Sequence, residues 1–437
     1  MDKWTEIDLE SILIDFESGK RPKGGVTGIC NGIPSLGGEH LNSNGFFNFK
    51  NIKYVPENFA NNMIRGHIKL KDILIVKDGA TTGKISFVDK NFPFNDAVIN
   101  EHLFRCHVSE DINSKFVFYF LYSGTGQKRI LSNFKGTAQG GINTSFAPNT
   151  LIPIAPINEQ NRIVEKIEEL FSDLDKATED LKKTQEQLKI YRQAVLKAAF
   201  EGKLTNHEKH INKNIERFGQ HIKIVSGNTP KGINNLKVTG GIPFFKISDM
   251  NTFGNEIYMK KANIMLTGKS INEMKIRIYP KGTVIFPKRG GAILTNKKRI
   301  LFQDSSFDLN TMGVIPNDKI ISKYLYYWFL KLNLGTIYDG SSVPQINNKN
   351  IIHLKIPIPE LEIQNKIIQE IESRLSVCDK VEKTVEQNLS KIEYLRQSIL
   401  KKAFEGKLVP QDPNDLPAGE LLKQIKIQKD KMSKNGK

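Results

Sequence analysis

Cysteine is scarce in this chain of 437 residues: Cys30, Cys106 and Cys378 are the only three. They are odd in number and far apart, which argues against a disulfide framework and for a reducing cytoplasm. Long apolar runs are missing too. The longest, Lys323-Tyr324-Leu325-Tyr326-Tyr327-Trp328-Phe329-Leu330, falls well short of the ~20 residues a membrane span needs and reads as a core helix. The charged N-terminus is no signal peptide, so no membrane partner is expected.

Signatures of catalysis are absent as well. Gly79-Ala80-Thr81-Thr82-Gly83-Lys84 looks like a phosphate loop, but it is one residue short. Ile85 stands where a Ser or Thr should bind Mg²⁺. No glycine fingerprint follows a strand, as an S-adenosylmethionine or dinucleotide pocket would require. Glu101-His102-Leu103-Phe104-Arg105-Cys106-His107 carries ligand-type residues, yet on a strand His102 and Cys106 face one way and Glu101 and His107 the other. A part-buried strand is the expectation there. The chain is assigned no catalytic residue, no metal and no cofactor.

Positive charge is abundant. Lys and Arg number 64 against 47 Asp and Glu, a formal net charge of +17. Such an excess suggests a polyanionic partner, commonly nucleic acid, although lysine also rises with A·T-biased codon usage. The length predicts two or three domains.

The organising feature is a long helix that occurs twice, over about residues 159–200 and 362–404. Arg192-Gln193-Ala194-Val195-Leu196-Lys197-Ala198-Ala199-Phe200-Glu201-Gly202-Lys203-Leu204 returns as Arg396-Gln397-Ser398-Ile399-Leu400-Lys401-Lys402-Ala403-Phe404-Glu405-Gly406-Lys407-Leu408. The copies lie 204 positions apart, as 396 is from 192, with no gap between them. Ile167, Leu174, Leu181, Leu188 and Val195 recur every seven residues, as do Ile371, Cys378, Val385, Ile392 and Ile399. This repeat predicts a coiled-coil seam, with Leu170, Ala177, Thr184, Tyr191 and Ala198 interleaved in the first helix and Arg374, Val381, Asn388, Leu395 and Lys402 in the second. An antiparallel pair of rods ~60 Å long satisfies the connections. Thr184 and Asn388, at equivalent positions, are expected to meet and fix the register.

The segments between the helices are related as well. Lys71-Asp72-Ile73-Leu74-Ile75-Val76 reads as a buried strand entering a tight turn at Lys77-Asp78-Gly79, and residues 84–88 as the returning strand. Residues 115–124 read as a helix stopped by glycine. Thr283-Val284-Ile285-Phe286 followed by Lys288-Arg289-Gly290 answers that strand and turn. Ser226-Gly227 answers Ser18-Gly19, and the loop at Gly340 answers the Gly-rich loop at Gly136. A polar and proline-rich stretch, residues 410–417, precedes an amphipathic helix over 418–429.

The order of strand, Lys77-Asp78-Gly79 turn, Gly140-Gly141-Ile142-Asn143 loop, Pro156-Ile157-Asn158-Glu159-Gln160 and heptad rod resembles the specificity (S) subunit of type I restriction-modification systems. The Glu-Gly-Lys-Leu rod endings and Asp412-Pro413-Asn414-Asp415 fit it too. The resemblance spans the chain, departing at Ile363-Gln364 and in the second loop, which lacks a Gly-Gly pair. It implies an α+β fold: two mixed α/β target-recognition domains separated by two long helices forming an antiparallel coiled coil, with internal pseudo-twofold duplication. The expected boundaries are 1–157 and 206–358 for the recognition domains, 158–205 and 359–409 for the helices, and 410–437 for the tail.

The implied function is non-catalytic. Each domain would read one half of a bipartite, asymmetric double-stranded DNA target, and the rods would set the spacing. Two methyltransferase (M) and two translocase-nuclease (R) subunits would dock, bringing S-adenosylmethionine, ATP and Mg on those partners. A coiled-coil adaptor without DNA specificity is the alternative. DNA contact should rest on loop cations and amides. In the first segment the candidates are Lys20, Arg21, Lys23, Lys77, Lys84, Lys135, Gln139 and Asn143. In the second they are Lys231, Lys288, Arg289, Lys297, Lys298, Arg299, Gln345 and Asn347, with Lys297-Lys298-Arg299 the sharpest basic cluster. Taken singly, each could equally be a solvated surface residue.

Overall fold

A computed structural model describes residues 3–136, 140–236, 240–340 and 342–435, with side chains described up to 427 and at Lys429. The chain forms two compact units, residues 1–181 with 387–437, and residues 182–386.

In the first unit the run Ile73–Val76 is buried along its whole length, as expected for a β-branched strand covered on both faces. It lies third in a sheet ordered Leu13–Ser18, Leu103–Val108, Ile73–Val76, Ile85–Phe87. A smaller sheet holds Lys53–Val55, Ile33–Leu36 and Val98–Ile99, the last two parallel. Helix Ser114–Tyr122 covers the larger sheet. It starts where Asn113 accepts hydrogen bonds from the Lys115 and Phe116 N–H groups. It ends at Ser123 rather than at glycine, because Ser123 is extended and caps the next helix, which Gly124 opens. Thr5–Asp8 pairs with Leu151–Ile154, so both ends of the globular part meet where the first long helix begins.

The second unit repeats this plan with a sheet ordered Ile222–Ser226, Thr311–Pro316, Val284–Pro287, Arg299–Leu301, Tyr258–Met259. Its smaller sheet again contains a parallel pair, Ile242–Phe245 with Ser306–Phe307. The aromatic run is the expected core helix, Ser322–Lys331, with Tyr324 to Phe329 buried.

The two long helices, Ile157–Phe200 and Leu361–Phe404, have 44 residues each. In the first unit Ile163 and Ile167 share a core with Leu400 and Ala403. Farther along the first helix, Phe171 and Asp175 meet Arg396, whose guanidinium lies 4.8 Å from the Phe171 ring centroid. In the second unit Leu196 and Phe200 share a core with Ile367 and Ile371, while Arg192 bonds Asp379 at 2.6 Å and Glu382 at 2.8 Å. In each unit numbers rise on one helix as they fall on the other, so the helices run antiparallel. The Arg192–Asp379 and Arg396–Asp175 pairs are equivalents under the duplication.

The seam differs from the expectation only in part: in the first helix Leu170, Ala177, Thr184 and Ala198 are half-buried, as a seam line requires. In the second helix Ile371, Cys378, Val385 and Ile392 are buried, but Val381, Asn388, Leu395 and Lys402 are exposed. The companion line lies four residues on, at Leu375, Glu382, Leu389, Arg396 and Ala403, and in the first helix at Phe171, Thr178, Gln185, Arg192 and Ala199; all are buried or half-buried. Heptad spacing permits a partner at either three or four residues; half of the second line is polar, and its Arg192 and Arg396 are held there by acids of the facing helix. Asn388 therefore does not lie in a buried seam, whereas Thr184 is half-buried. Polar side chains that bridge the helices within the units include Arg192, Arg396 and Arg374, the last bonding Tyr191.

The tail crosses the first unit. Arg162 and Asn158 bond the Asp415 carboxylate at 2.7 and 3.2 Å, and Ala418 and Ile425 join the core beside Leu9 and Ile12. Hydrogen bonding to Arg162 holds the Asp415 carboxyl below the usual range.

Candidate nucleic-acid interface

After Val76 the chain must turn back within a few residues to return as Ile85–Phe87. Gly79 and Gly83 make this possible, with φ of 87° and 86°. The Lys77 N–H donates to the His102 carbonyl at 2.9 Å, and Ile142 donates to the Lys77 carbonyl at 2.7 Å. Asp78 and Lys135 both form backbone bridges with Gly141. The strand-end turn and the Gly-rich loop, distant in sequence, are thus placed side by side. A third segment joins them, since Lys77 Nζ lies 3.4 Å from Ser18 Oγ. Gly19 is required there: a Cβ would sit 1.8 Å from the Ile99 carbonyl oxygen.

The second unit builds the same junction. Lys288 donates its N–H to the Asn310 carbonyl at 2.8 Å, Ile346 donates to the Lys288 carbonyl at 2.9 Å, and Arg289 bridges Gln345. Lys288 Nζ bonds Ser226 Oγ at 2.9 Å, and a Cβ on Gly227 would sit 2.1 Å from the Phe307 carbonyl oxygen.

Most of the expected residues fall at or beside these junctions. Lys20, Lys23, Lys135 and Asn143 are exposed; Arg21 is exposed and pairs with Glu101 at 2.9 Å. Lys77 is half-buried, its ammonium 5.7 Å from the Phe104 ring centroid, and Lys84 is half-buried at the end of the turn. Asn143 also accepts hydrogen bonds from Ser145, which bends its loop. Gln139 lies outside the described residues. In the second unit Lys231 and Arg289 are exposed. Lys288 is half-buried, and that burial, with Arg289 beside it, lowers its pKa. Gln345 donates to Asn347 at 3.1 Å, and both are half-buried.

The cluster Lys297-Lys298-Arg299 is not a basic patch. Lys298 is fully buried, and its ammonium donates to Asn296 Oδ1 at 2.6 Å and the Leu332 carbonyl at 2.7 Å. Burial pushes its pKa down to about 7. Arg299, on strand Arg299–Leu301, is half-buried and donates to the Lys298 and Met250 carbonyls. Lys297 bonds Asn251. These cations tie backbone together, a use that a run of basic residues cannot reveal.

Two arginines at the junctions escape sequence reasoning. Gly66 packs against Gly19, a Cβ there lying 3.2 Å from the Gly19 Cα, and its N–H donates to Glu17. Arg65, exposed, precedes it. In the second unit Tyr279 donates its hydroxyl to the Ser226 carbonyl at 2.7 Å, and Arg277, exposed, stands two residues earlier. His67 and Tyr279 bridge Val98 and Ser305, beside the parallel strand pair in each unit; Ile68 donates to the Ala97 carbonyl as Tyr279 donates to that of Ser305, so Ile68 answers Tyr279, and Arg65 and Arg277 lie one position out of step.

Arg105 underlies the first junction. Its side chain is almost wholly buried and bonds Asp15 at 2.9 Å, Glu17 at 2.8 Å and Asp72 at 3.1 Å. Burial opposes its charge, but Asp72, Asp15 and Glu17 outweigh that and raise its pKa. His107 adds a 2.7 Å contact to Asp72. The stretch 101–107 departs from the expected part-buried strand: Glu101 and His102 form a turn, and strand Leu103–Val108 is buried except at half-buried His107, with Cys106 in the core and its thiol pKa pushed up by burial.

Three comparisons bear on what these junctions serve. The family model described as "Type I restriction modification DNA specificity domain" matches residues 1–189 and 212–393. The EcoBI specificity subunit of Escherichia coli is 26% identical over 366 residues, covering 76% of each chain. The StySPI specificity subunit of Salmonella potsdam is 25% identical over 414 residues, covering 88% of this chain and 86% of that one. Among solved structures, a chain from work on "complex assembly and conformational transition of the type I R-M system" shares the fold with a TM-score of 0.73 at 17% identity, over 93% of this chain and 98% of that one. The HsdS subunit from Thermoanaerobacter tengcongensis has a TM-score of 0.55 at 18% identity, over 93% and 97%. With the family model matching most of its length in two blocks, this chain belongs to the type I restriction-modification DNA specificity family.

Proposed function

We propose that this chain is the non-catalytic, sequence-specific DNA-binding subunit of a type I restriction-modification complex. Each unit reads one half of a bipartite, asymmetric target. The single observation that carries this reading is the repeated junction of three loops, built by the same backbone hydrogen bonds in both units and dressed with different side chains. A common frame with different side chains suits two readers of different half-sites, and a plain adaptor has no use for the difference. The excess of cations supplies phosphate attraction, and amides and guanidinium groups supply base readout.

Two M subunits and two R subunits complete the assembly, in the cytoplasm, and they bring S-adenosylmethionine, ATP and Mg; this chain binds none of these itself. The long helices offer a repeated surface for the paired partner. Ile190 and Tyr394, equivalent under the duplication, are 71% and 74% exposed, which is unusual for apolar side chains on a helix and fits docking of one partner twice.

The test is a gel shift with the M-bound chain on duplex DNA of random sequence, across a series of salt concentrations. Binding should weaken steeply with salt. Lys77→Ala with Lys288→Ala should lower the slope of log K against log salt by roughly 1 per lysine. Salt-independent binding, or none, would count against the proposal. Inserting one heptad into both long helices should change the tolerated spacer between half-sites while leaving both half-site sequences alone. An unchanged spacer would refute the role of the helices as a ruler.

A further inference from the structure

We infer that a single position on the strand-end turn reads bases in both units, Asp78 in the first and Arg289 in the second, and that it selects different base edges in the two half-sites. This inference deepens the function proposed above and rests on it.

A duplicated chain contains its own control. Positions that keep the same residue in both units are suited to what both half-sites share, the sugar-phosphate backbone. Positions that are equivalent in backbone but opposite in chemistry are suited to what the half-sites do not share, their sequence. The junction residues Ser18 and Ser226, and Lys77 and Lys288, belong to the first class. Asp78 and Arg289 belong to the second. Each directly follows the junction lysine, and each bridges the Gly-rich loop, at Gly141 and Gln345 respectively. The carbonyl that receives the lysine N–H also differs in owner, His102 in one unit and Asn310 in the other.

Their surroundings define what each can recognise. Arg289 is exposed, and among the described residues its guanidinium has no ion pair or side-chain hydrogen bond. A free guanidinium fork matches the O6 and N7 acceptors of guanine in the major groove. Asp78 is an acid on a surface that otherwise attracts phosphate, so it weakens general DNA affinity and needs another use. Its Oδ1 lies 2.5 Å from His102 Nδ1, and His102 Nε2 lies 3.4 Å from Glu101, which pairs with Arg21. That chain of contacts fixes the carboxylate and leaves it acceptor capacity. A carboxylate takes a hydrogen bond from the amino group of cytosine or adenine, whereas guanine presents only acceptors in the major groove.

The experiment selects duplexes from a pool of randomised double-stranded DNA with the complex of this chain and its M subunits, and sequences what is retained. With Arg289→Gln, the preference for guanine at one base position of one half-site should fall by roughly 5- to 100-fold, and the other half-site should be unaffected. Arg289→Lys, which keeps the charge and loses the fork, should bind as tightly and lose the same preference. Asp78→Asn should alter one position in the opposite half-site only. Lys77→Ala and Lys288→Ala should leave every base preference intact and lower the salt slope by roughly 1 each. Arg289→Gln and Arg289→Lys retaining the unaltered preferences at every position would overturn the inference while leaving the proposed function standing. Enrichment of no sequence by the unaltered complex would overturn the proposed function, and this inference with it.

Discussion

Replacing Arg105 with alanine is expected to destabilise the first unit by about 3–5 kcal/mol, the cost typical of stranding buried partner charges. Asp72 is fully buried and takes two bonds from this guanidinium, both at 3.1 Å. Its remaining donors, the Lys69 N–H and His107, cannot replace a fixed positive charge. The loss should reach the DNA-facing loops as well. Arg105 fixes Glu17, and Glu17 holds both the Gly66 N–H and the strand that ends at Ser18. Denaturant unfolding followed by hydrogen exchange would show the change, with the 15–19 and 63–67 segments losing protection first. Unchanged unfolding of Arg105→Ala would refute this account. The second unit offers a contrast at the same site. Gly313 faces Val225 and Ile285 as Arg105 faces Glu17 and Leu74, and a Cβ there would strike Phe307 and Val225 at 2.7 and 2.8 Å. Aromatic packing replaces the ion cluster, so no single charge change should have a matching effect there.

The second large effect concerns pH. Lys298 has a folded pKa of about 7 against a model-peptide value of 10.5, because burial disfavours its charge. Between those values the unfolded chain binds a proton that the folded chain does not, so stability rises with pH through that window. The full cost is present below about pH 7 and is relieved as pH approaches 10.5. The window spans several pH units at about 1.4 kcal/mol each, so a change of about 3–5 kcal/mol is expected. Comparing the unaltered chain with Lys298→Met isolates it from other titrations. Their difference in unfolding free energy should shift in favour of the unaltered chain as pH is raised from 7 to 9.5. A difference that stays constant over that range would show that Lys298 is charged in the folded state. The substitution also removes the donor to Asn296 and Leu332, which adds a loss that does not vary with pH.

The lysines on either side of the glycine-rich turns show why part of the interface was legible and part was not. Lys77 and Lys288 stood out because each follows a buried apolar run, and a strand that ends in Lys-x-Gly must present its next residues at a sheet end. Lys298 comes after the second of these turns and looked equally exposed. Its fate depends on the carbonyl of Leu332, which arrives from a distant helix end, and composition does not encode that meeting. Arg65 and Arg277 were invisible for the converse reason, since only the approach of Gly66 to Gly19 and of Tyr279 to Ser226 puts them beside the loops.

Repeated residues and periodicity along the chain are enough to reveal the duplication, the long helices, their antiparallel sense and the family resemblance. The sequence also located the turns, since glycine at positive φ is a local requirement. The tertiary structure decided which heptad partners form the seam, replacing Asn388 with Arg396, and which cations face outward. Both depend on burial, a property of what packs against a side chain, and that is settled between segments far apart in the chain.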